Sequence, residues 1–252
     1  MNKKFSTVSS LLPVILVMII GLGCGGGASD QSTNTRPTGT APESTPQPAS
    51  AAETDIAGTY AATGMNAGGG DAYKADLTIT KRDDVHQFTW QSGPNKYDGV
   101  GVRTDDSIAV AFTEGTDGKG CGVVLYKIGD DGSLNGKAGY WGVNKSESET
   151  AKRSGGTQFE GAYDITGTSP DGKAYTGKLD ITRSGEGYDF NWNAGGLTKG
   201  FGVREGNKAA VGFGGNQCGF VLYEVKSDGT LSGKWGGKGV KTFGTETLIK
   251  KS

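Results

Sequence analysis

AYTGKLDITRSGEGYDFNWN, Ala174 to Asn193, decides the fold class of this 252-residue chain. Tyr175, Gly177, Leu179 and Ile181 alternate with Thr176, Lys178, Asp180 and Thr182. The next run repeats the alternation, with Tyr188, Phe190 and Trp192 set between Asp189, Asn191 and Asn193. A period of two places the apolar members on one side of an extended strand and the polar members on the other. About a hundred residues earlier Tyr73, Ala75, Leu77 and Ile79, then His86, Phe88 and Trp90, give the same pattern. No segment sustains a 3.6-residue period, so the reading is all-β.

The chain is internally duplicated. GTY at Gly58–Tyr60 returns as GAY at Gly161–Tyr163, and GCGVVLY at Gly120–Tyr126 returns as QCGFVLY at Gln217–Tyr223. Each copy holds about eight short strands, separated by turn signals such as Asp131-Gly132, Asp171-Gly172 and Asp228-Gly229. An antiparallel up-and-down meander of that length removes its exposed edges by closing, which predicts a small β-barrel for each of two tandem repeats. The expected organisation is module one over 55–150, a short linker over 151–158 and module two over 159–252.

The N-terminal region reads differently. Lys3 and Lys4 precede an apolar run from Leu11 to Ile20, the layout of a signal peptide over 1–23. From Gly25 to Ala52 there is no aromatic residue and no Leu, Ile, Val or Met. Such a segment cannot offset the entropy of ordering, and 24–54 reads as a disordered tether spanning about 30 Å. Leu22-Gly23-Cys24-Gly25 resembles the lipobox of bacterial lipoproteins, with Gly21 where that family favours an aliphatic residue. The resemblance implies acylation of Cys24, export and a lipid anchor, with Gly25 pointing to the outer membrane. The order GxY, YxGxLxIT, CGxVxY and DGxLxG is similar to secreted Gly-rich β-modules of bacteria. The opening Gly-x-Tyr also loosely resembles the first strand of calycin barrels, which carry Trp where this chain has Tyr60 and Tyr163.

The middle of each repeat is its least ordinary part. Gly99, Gly101 and Arg103 alternate with Val100 and Val102, and Gly200, Gly202 and Arg204 alternate with Phe201 and Val203. Ala109 and Ala111, then Ala210 and Gly212, follow in the next strand of each copy. Alternation predicts one bulky face and one stripped nearly to backbone, open to a ligand, to the partner module or to a neighbouring strand at a tight bend. Arg103 and Arg204 close that face. Glu149 in ETAK and Glu246 in ETLIK, at matching positions, are the partners expected for them, as a structural latch or as part of an anion grip.

Composition narrows the function. A formal net charge of −1 with no basic block speaks against nucleic acid. The single histidine, His86, has Tyr188 as its counterpart, which suits an aromatic-sized core position and leaves no His-based triad or zinc site. The Asp-Gly pairs lack calcium-loop spacing. No metal, cofactor or catalytic set is expected; paired acids close together in a cleft would be the sign of an unrecognised hydrolase. Trp90 and Trp192 read as core residues that could also line a pocket. Export makes a Cys121–Cys218 disulfide the default, but equivalent residues of two repeats meet within its range only beside a pseudo-twofold axis, and the apolar Val, Phe and Leu flanks favour free, buried thiols. The expected function is a non-enzymatic envelope lipoprotein, held to the membrane by its N-terminal lipid, that binds a small molecule, glycan or envelope component. The alternative is a structural or protein-interaction module without a pocket.

Overall fold

The computed structural model describes residues 55–215 and 218–252, so Cys24, the signal segment and the tether lie outside the described residues. The described chain contains β-strands and no helix. The first repeat supplies β1 (Gly58–Met65), β2 (Ala72–Arg82), β3 (Val85–Ser92), β4 (Asn95–Thr104), β5 (Ser107–Glu114), β6 (Gly122–Ile128), β7 (Leu134–Tyr140) and β8 (Glu147–Gly155). The second supplies β9 (Gly161–Thr168), β10 (Ala174–Ser184), β11 (Gly187–Asn193), β12 (Leu197–Glu205), β13 (Lys208–Phe213), β14 (Gly219–Val225), β15 (Leu231–Gly236) and β16 (Gly244–Lys250).

These strands form two closed antiparallel barrels of eight strands, as the alternation predicts, but the barrels are not the repeats. Barrel one runs β1-β2-β3-β4-β5-β14-β15-β16 and closes β16 onto β1; barrel two consists of β6 to β13 and closes β13 onto β6. The repeats therefore exchange their last three strands. At the exchange β5 pairs with β14, Phe112 opposite Gly219, and β13 pairs with β6, Phe213 opposite Gly122. Residues 151–155, expected in a linker, continue β8, and Ala151 stands opposite Ile165 of β9.

Hairpin chemistry follows the sequence. Gly132, Gly172 and Gly229 in the three Asp-Gly turns have φ of 75°, 83° and 82°, the left-handed region that glycine enters without a Cβ clash. Asp131 and Asp228 brace their turns by accepting the amides of Ser133 and Thr230, each at 2.9 Å.

Each barrel is filled by one apolar cluster. In barrel one Tyr60, Leu77, Phe88, Val110 and Tyr223 are at most 1% exposed; in barrel two Tyr163, Leu179, Phe190, Val211 and Tyr126 are equally buried. One end of each barrel is plugged by a residue just before its first sequential strand of the GxY type. Tyr60 Oη donates to Ile56 O at 2.8 Å, and Tyr163 Oη to Phe159 O at 2.7 Å.

A third cluster joins the barrels through outward-facing residues of both, including Val100, Val102, Ala109, Ala111, Val123 and Phe220. Within it Cys121 and Cys218 form a disulfide, with Cα atoms 5.8 Å apart. This corrects the expectation of free thiols. Both cysteines stand at the strand exchange, immediately before β6 and β14, where equivalent positions of the two repeats converge. Gly214 and Gly120 meet there too: a Cβ on Gly214 would come within 1.9 Å of Gly120 O.

Candidate functional site

The expected stripped face is not a surface. Cross-strand partners in an antiparallel ladder share a side. Gly99, Gly101 and Arg103 stand opposite Phe112, Val110 and Ile108 and face the barrel interior, whereas Val100 and Val102 stand opposite Ala111 and Ala109 on the outside. Each side therefore alternates small with large. A Cβ on Gly101 would lie 2.6 Å from Phe88 Cε2, so bulk from the next strand fills the space. In barrel two Gly200, Gly202 and Arg204 stand opposite Phe213, Val211 and Ala209, and a Cβ on Gly200 would lie 2.9 Å from Trp192 Cζ3. These glycines serve packing of the interior.

The expected arginine–glutamate pairing is also corrected. Arg103 of β4 belongs to barrel one and Glu149 of β8 to barrel two, so strand exchange separates the members of the first repeat's pair. Arg103 Nε donates to Asp105 O at 3.1 Å and Arg204 Nε to Gly206 O at 3.0 Å, both at hairpin turns. Arg204 also lies over the Phe159 ring, 5.0 Å from its centroid, at the plugged end. The glutamates sit further along their barrels, toward the open ends.

There each barrel holds a cavity, of about 280 Å³ in barrel one and about 320 Å³ in barrel two. Glu246 and Glu149 lie in the walls, 4% and 7% exposed. Glu246 Oε1 accepts from Tyr73 Oη at 2.9 Å, and its Oε2 accepts from Tyr223 Oη and from Trp90 Nε1 at 3.3 Å. Glu149 Oε1 accepts from Tyr126 Oη and from Trp192 Nε1 at 3.3 Å, while its Oε2 lies 3.0 Å from Tyr175 Oη. One glutamate, two tyrosines and one tryptophan thus recur in both barrels.

Glycines make this arrangement possible. Glu149 stands between Gly136 and Gly167 on its neighbouring strands, and Glu246 between Gly233 and Gly64. A Cβ on Gly167 would fall 2.3 Å from Tyr175 Cζ, and one on Gly136 2.6 Å from Tyr126 Cε1. The bare positions let tyrosine rings lie flat beside the carboxyl group. Burial pushes the proton affinity of Glu149 and Glu246 up, against the hydrogen bonds that pull it down. Burial first, and then the neighbouring glutamate, also raises the affinity of Tyr126 and Tyr223, which stay protonated as donors.

One difference between the cavities concerns their acids. Barrel two adds Glu147, which accepts from Tyr140 Oη at 2.7 Å and also from Tyr175 Oη. Barrel one has Gly244 at the corresponding position and Trp235 where barrel two has Ala138; a Cβ on Gly244 would come within 2.5 Å of the Trp235 indole. The paired acids named as the sign of carboxylate chemistry are therefore present in barrel two, a juxtaposition that the spacing Glu147-Ser148-Glu149 signals only once both are placed on the inward side of one strand.

Trp90 and Trp192 are core residues, 6% and 8% exposed, and line the cavities as well. His86 is 8% exposed, and its Nδ1 has no hydrogen-bond partner among the described residues. Burial lowers its pKa to about 4, so it is neutral near pH 7, and it takes no part in either cavity. Among the described residues no three His, Cys, Asp or Glu side chains group as a metal site.

Fold and cavities together define a strand-exchanged twin barrel with a duplicated Glu–Tyr–Tyr–Trp cluster. Comparison with protein-family models, curated proteins and solved structures found no match.

Proposed function

We propose that the chain is a non-enzymatic bacterial envelope lipoprotein, tethered through acylated Cys24, whose two barrels each bind a small molecule at the open end. The observation that carries this reading is the duplicated cavity with a buried glutamate in its wall. A carboxyl group held among tyrosines and a tryptophan offers oriented polar atoms to a ligand's donors, and the surrounding rings offer apolar contact. Cavities of about 280 and 320 Å³ suit a compact ligand, such as a monosaccharide-sized or single-ring molecule. The pocketless interaction module is the less favoured alternative, since it gives these cavities no role.

Two measurements test the proposal. Residues 55–252, screened against glycans, lipids, cell-wall fragments and small aromatic molecules, should show a raised melting temperature with at least one class; the absence of any shift counts against binding. Cys24→Ala should move the full chain from the membrane to the soluble fraction, and an unchanged distribution removes the anchor.

A second reading attaches to barrel two alone, because Glu147 and Glu149 face one cavity with a single tyrosine between them. Carboxylates that close support acid–base or nucleophilic hydrolysis of glycosides. Turnover of a nitrophenyl glycoside that Glu147→Gln abolishes would favour this reading over simple binding.

A further inference from the structure

We infer that the cavity of barrel two is built for a small organic ammonium ion, an amine carried on an apolar body. The inference rests on the reading of the barrels as small-molecule binders and concerns what the second one prefers.

The hydrogen-bond count motivates it. A tyrosine hydroxyl has one proton, yet Tyr175 Oη lies within bonding distance of Oε1 of Glu147 and, at 3.0 Å, of Oε2 of Glu149. Tyr126 is directed to the other oxygen of Glu149, the Trp192 indole N–H is shared between that oxygen at 3.3 Å and Tyr126 Oη at 3.1 Å, and Tyr140 is directed to the other oxygen of Glu147. One contact between oxygens is left without a proton from a neutral side chain. Either a proton resides on a carboxyl group or a ligand supplies an N–H. An ammonium group brings three donors and a positive charge to a place where two acids compete for one hydroxyl.

Barrel one is the internal comparison. Glu246 has three donors for two oxygens, with no hydroxyl shared between carboxylates. Gly244 withholds a second acid, and the Trp235 ring takes up room beside it. Among the differences between the two cavities, Glu147 for Gly244 adds a negative charge, and Ala138 for Trp235 takes away the indole beside it.

The walls of the second cavity suit a cation. Trp192, Phe213, Tyr140 and Tyr175 line it, and aromatic faces attract alkylammonium groups. Lys173 is the one cationic side chain among its described lining residues; its side chain is 82% exposed, and its amine pairs with Asp171 at 2.6 Å, at the rim. It does not occupy the place between the glutamates.

Calorimetry with the full chain in detergent tests the inference, using benzylammonium and its uncharged counterpart benzyl alcohol. The expected result is tighter binding of benzylammonium by at least about tenfold, the size of one charge-assisted hydrogen bond. Glu147→Gln should bring the ratio of the two affinities towards unity. Equal affinities in the wild type overturn the ammonium preference while leaving the pocket reading intact. A ratio unchanged in Glu147→Gln also overturns it, since the second carboxylate is then not its source. Binding of neither compound up to millimolar concentration also overturns the ammonium inference, while the pocket reading is decided by the wider ligand screen. The wild-type comparison of the two compounds needs no variant to fold.

Discussion

Opening the Cys121–Cys218 bridge should cost this protein a large share of its stability. The crosslinked positions are 97 residues apart. Closing a loop of that length removes about 16 cal/mol/K from the unfolded chain, which is about 4.7 kcal/mol at 25 °C in the chain-entropy account. For a folded region of about 200 residues, each kcal/mol corresponds to about 2–4 °C in melting temperature, so the predicted fall is about 10–20 °C. The assay is scanning calorimetry of oxidised wild type, reduced wild type and Cys121→Ala/Cys218→Ala at one protein concentration. Alanine keeps a small apolar group in the inter-barrel cluster and separates the loss of the crosslink from the loss of packing. Reduced wild type and the double variant should melt together, well below the oxidised protein. If the double variant melts within about 4 °C of oxidised wild type, the entropic reasoning is wrong for this fold. Intact-mass analysis after alkylation without reductant should show both cysteines unlabelled; two labelled thiols would refute the bridge itself.

Other perturbations give equally definite outcomes. Gly167→Ala places a Cβ 2.3 Å from Tyr175 Cζ and 2.6 Å from Ser148 O, and should destabilise by about 1–3 kcal/mol in denaturant titration; Gly196→Ala, with nothing within 4 Å, is the matched control. Burial holds the proton affinity of Glu246 above its ordinary 4.5, so its stabilising contribution is complete below that pH and is lost as pH rises through the folded-state value. Wild type should accordingly lose stability relative to Glu246→Gln above pH 4.5, by at most about 1.4 kcal/mol per pH unit, in denaturant titrations across that range. His86 has the opposite sign: its pKa falls from 6.5 to about 4, so its contribution is present above pH 6.5 and disappears as pH drops towards 4. His86→Tyr, the residue of the other barrel, should flatten that acid-side loss when unfolding is compared at pH 7 and pH 4. A chain ending at residue 156 lacks β14–β16, the closing strands of barrel one, and should not close that barrel within one chain; sedimentation analysis showing association or aggregation is the expected result.

Much of the fold was legible because its causes are local. Alternation in Tyr175–Ile181 and Tyr188–Trp192 specifies strands and their inward sides, and the Asp-Gly pairs specify tight turns. The exchange of strands was not legible, since β6 presents the same edge whether it joins β5 or β13, and no local pattern separates the two. Its one trace in the sequence was the pair of equivalent cysteines, which can meet only where the copies cross. The site followed the same division. Glu149 and Glu246 stood out by duplication, but charge alone suggested arginine partners. Their real partners are uncharged, and in barrel two Tyr126 comes from the first repeat while Tyr175 and Trp192 come from the second. The glycines beside each glutamate were the overlooked signal, because they lie on different strands and often in different repeats.

Strand exchange also changes what can be inherited separately. Each cavity is a chimera: the first takes Tyr73 and Trp90 from one copy and Glu246 from the other, and the second reverses the donation. A lineage that deleted or swapped a single copy would lose both cavities at once. Divergence of one pocket, such as the Glu147 and Ala138 pair against Gly244 and Trp235, must instead proceed by substitutions inside an intact tandem. Duplication normally frees one copy to drift; here it binds the two copies to a common fate.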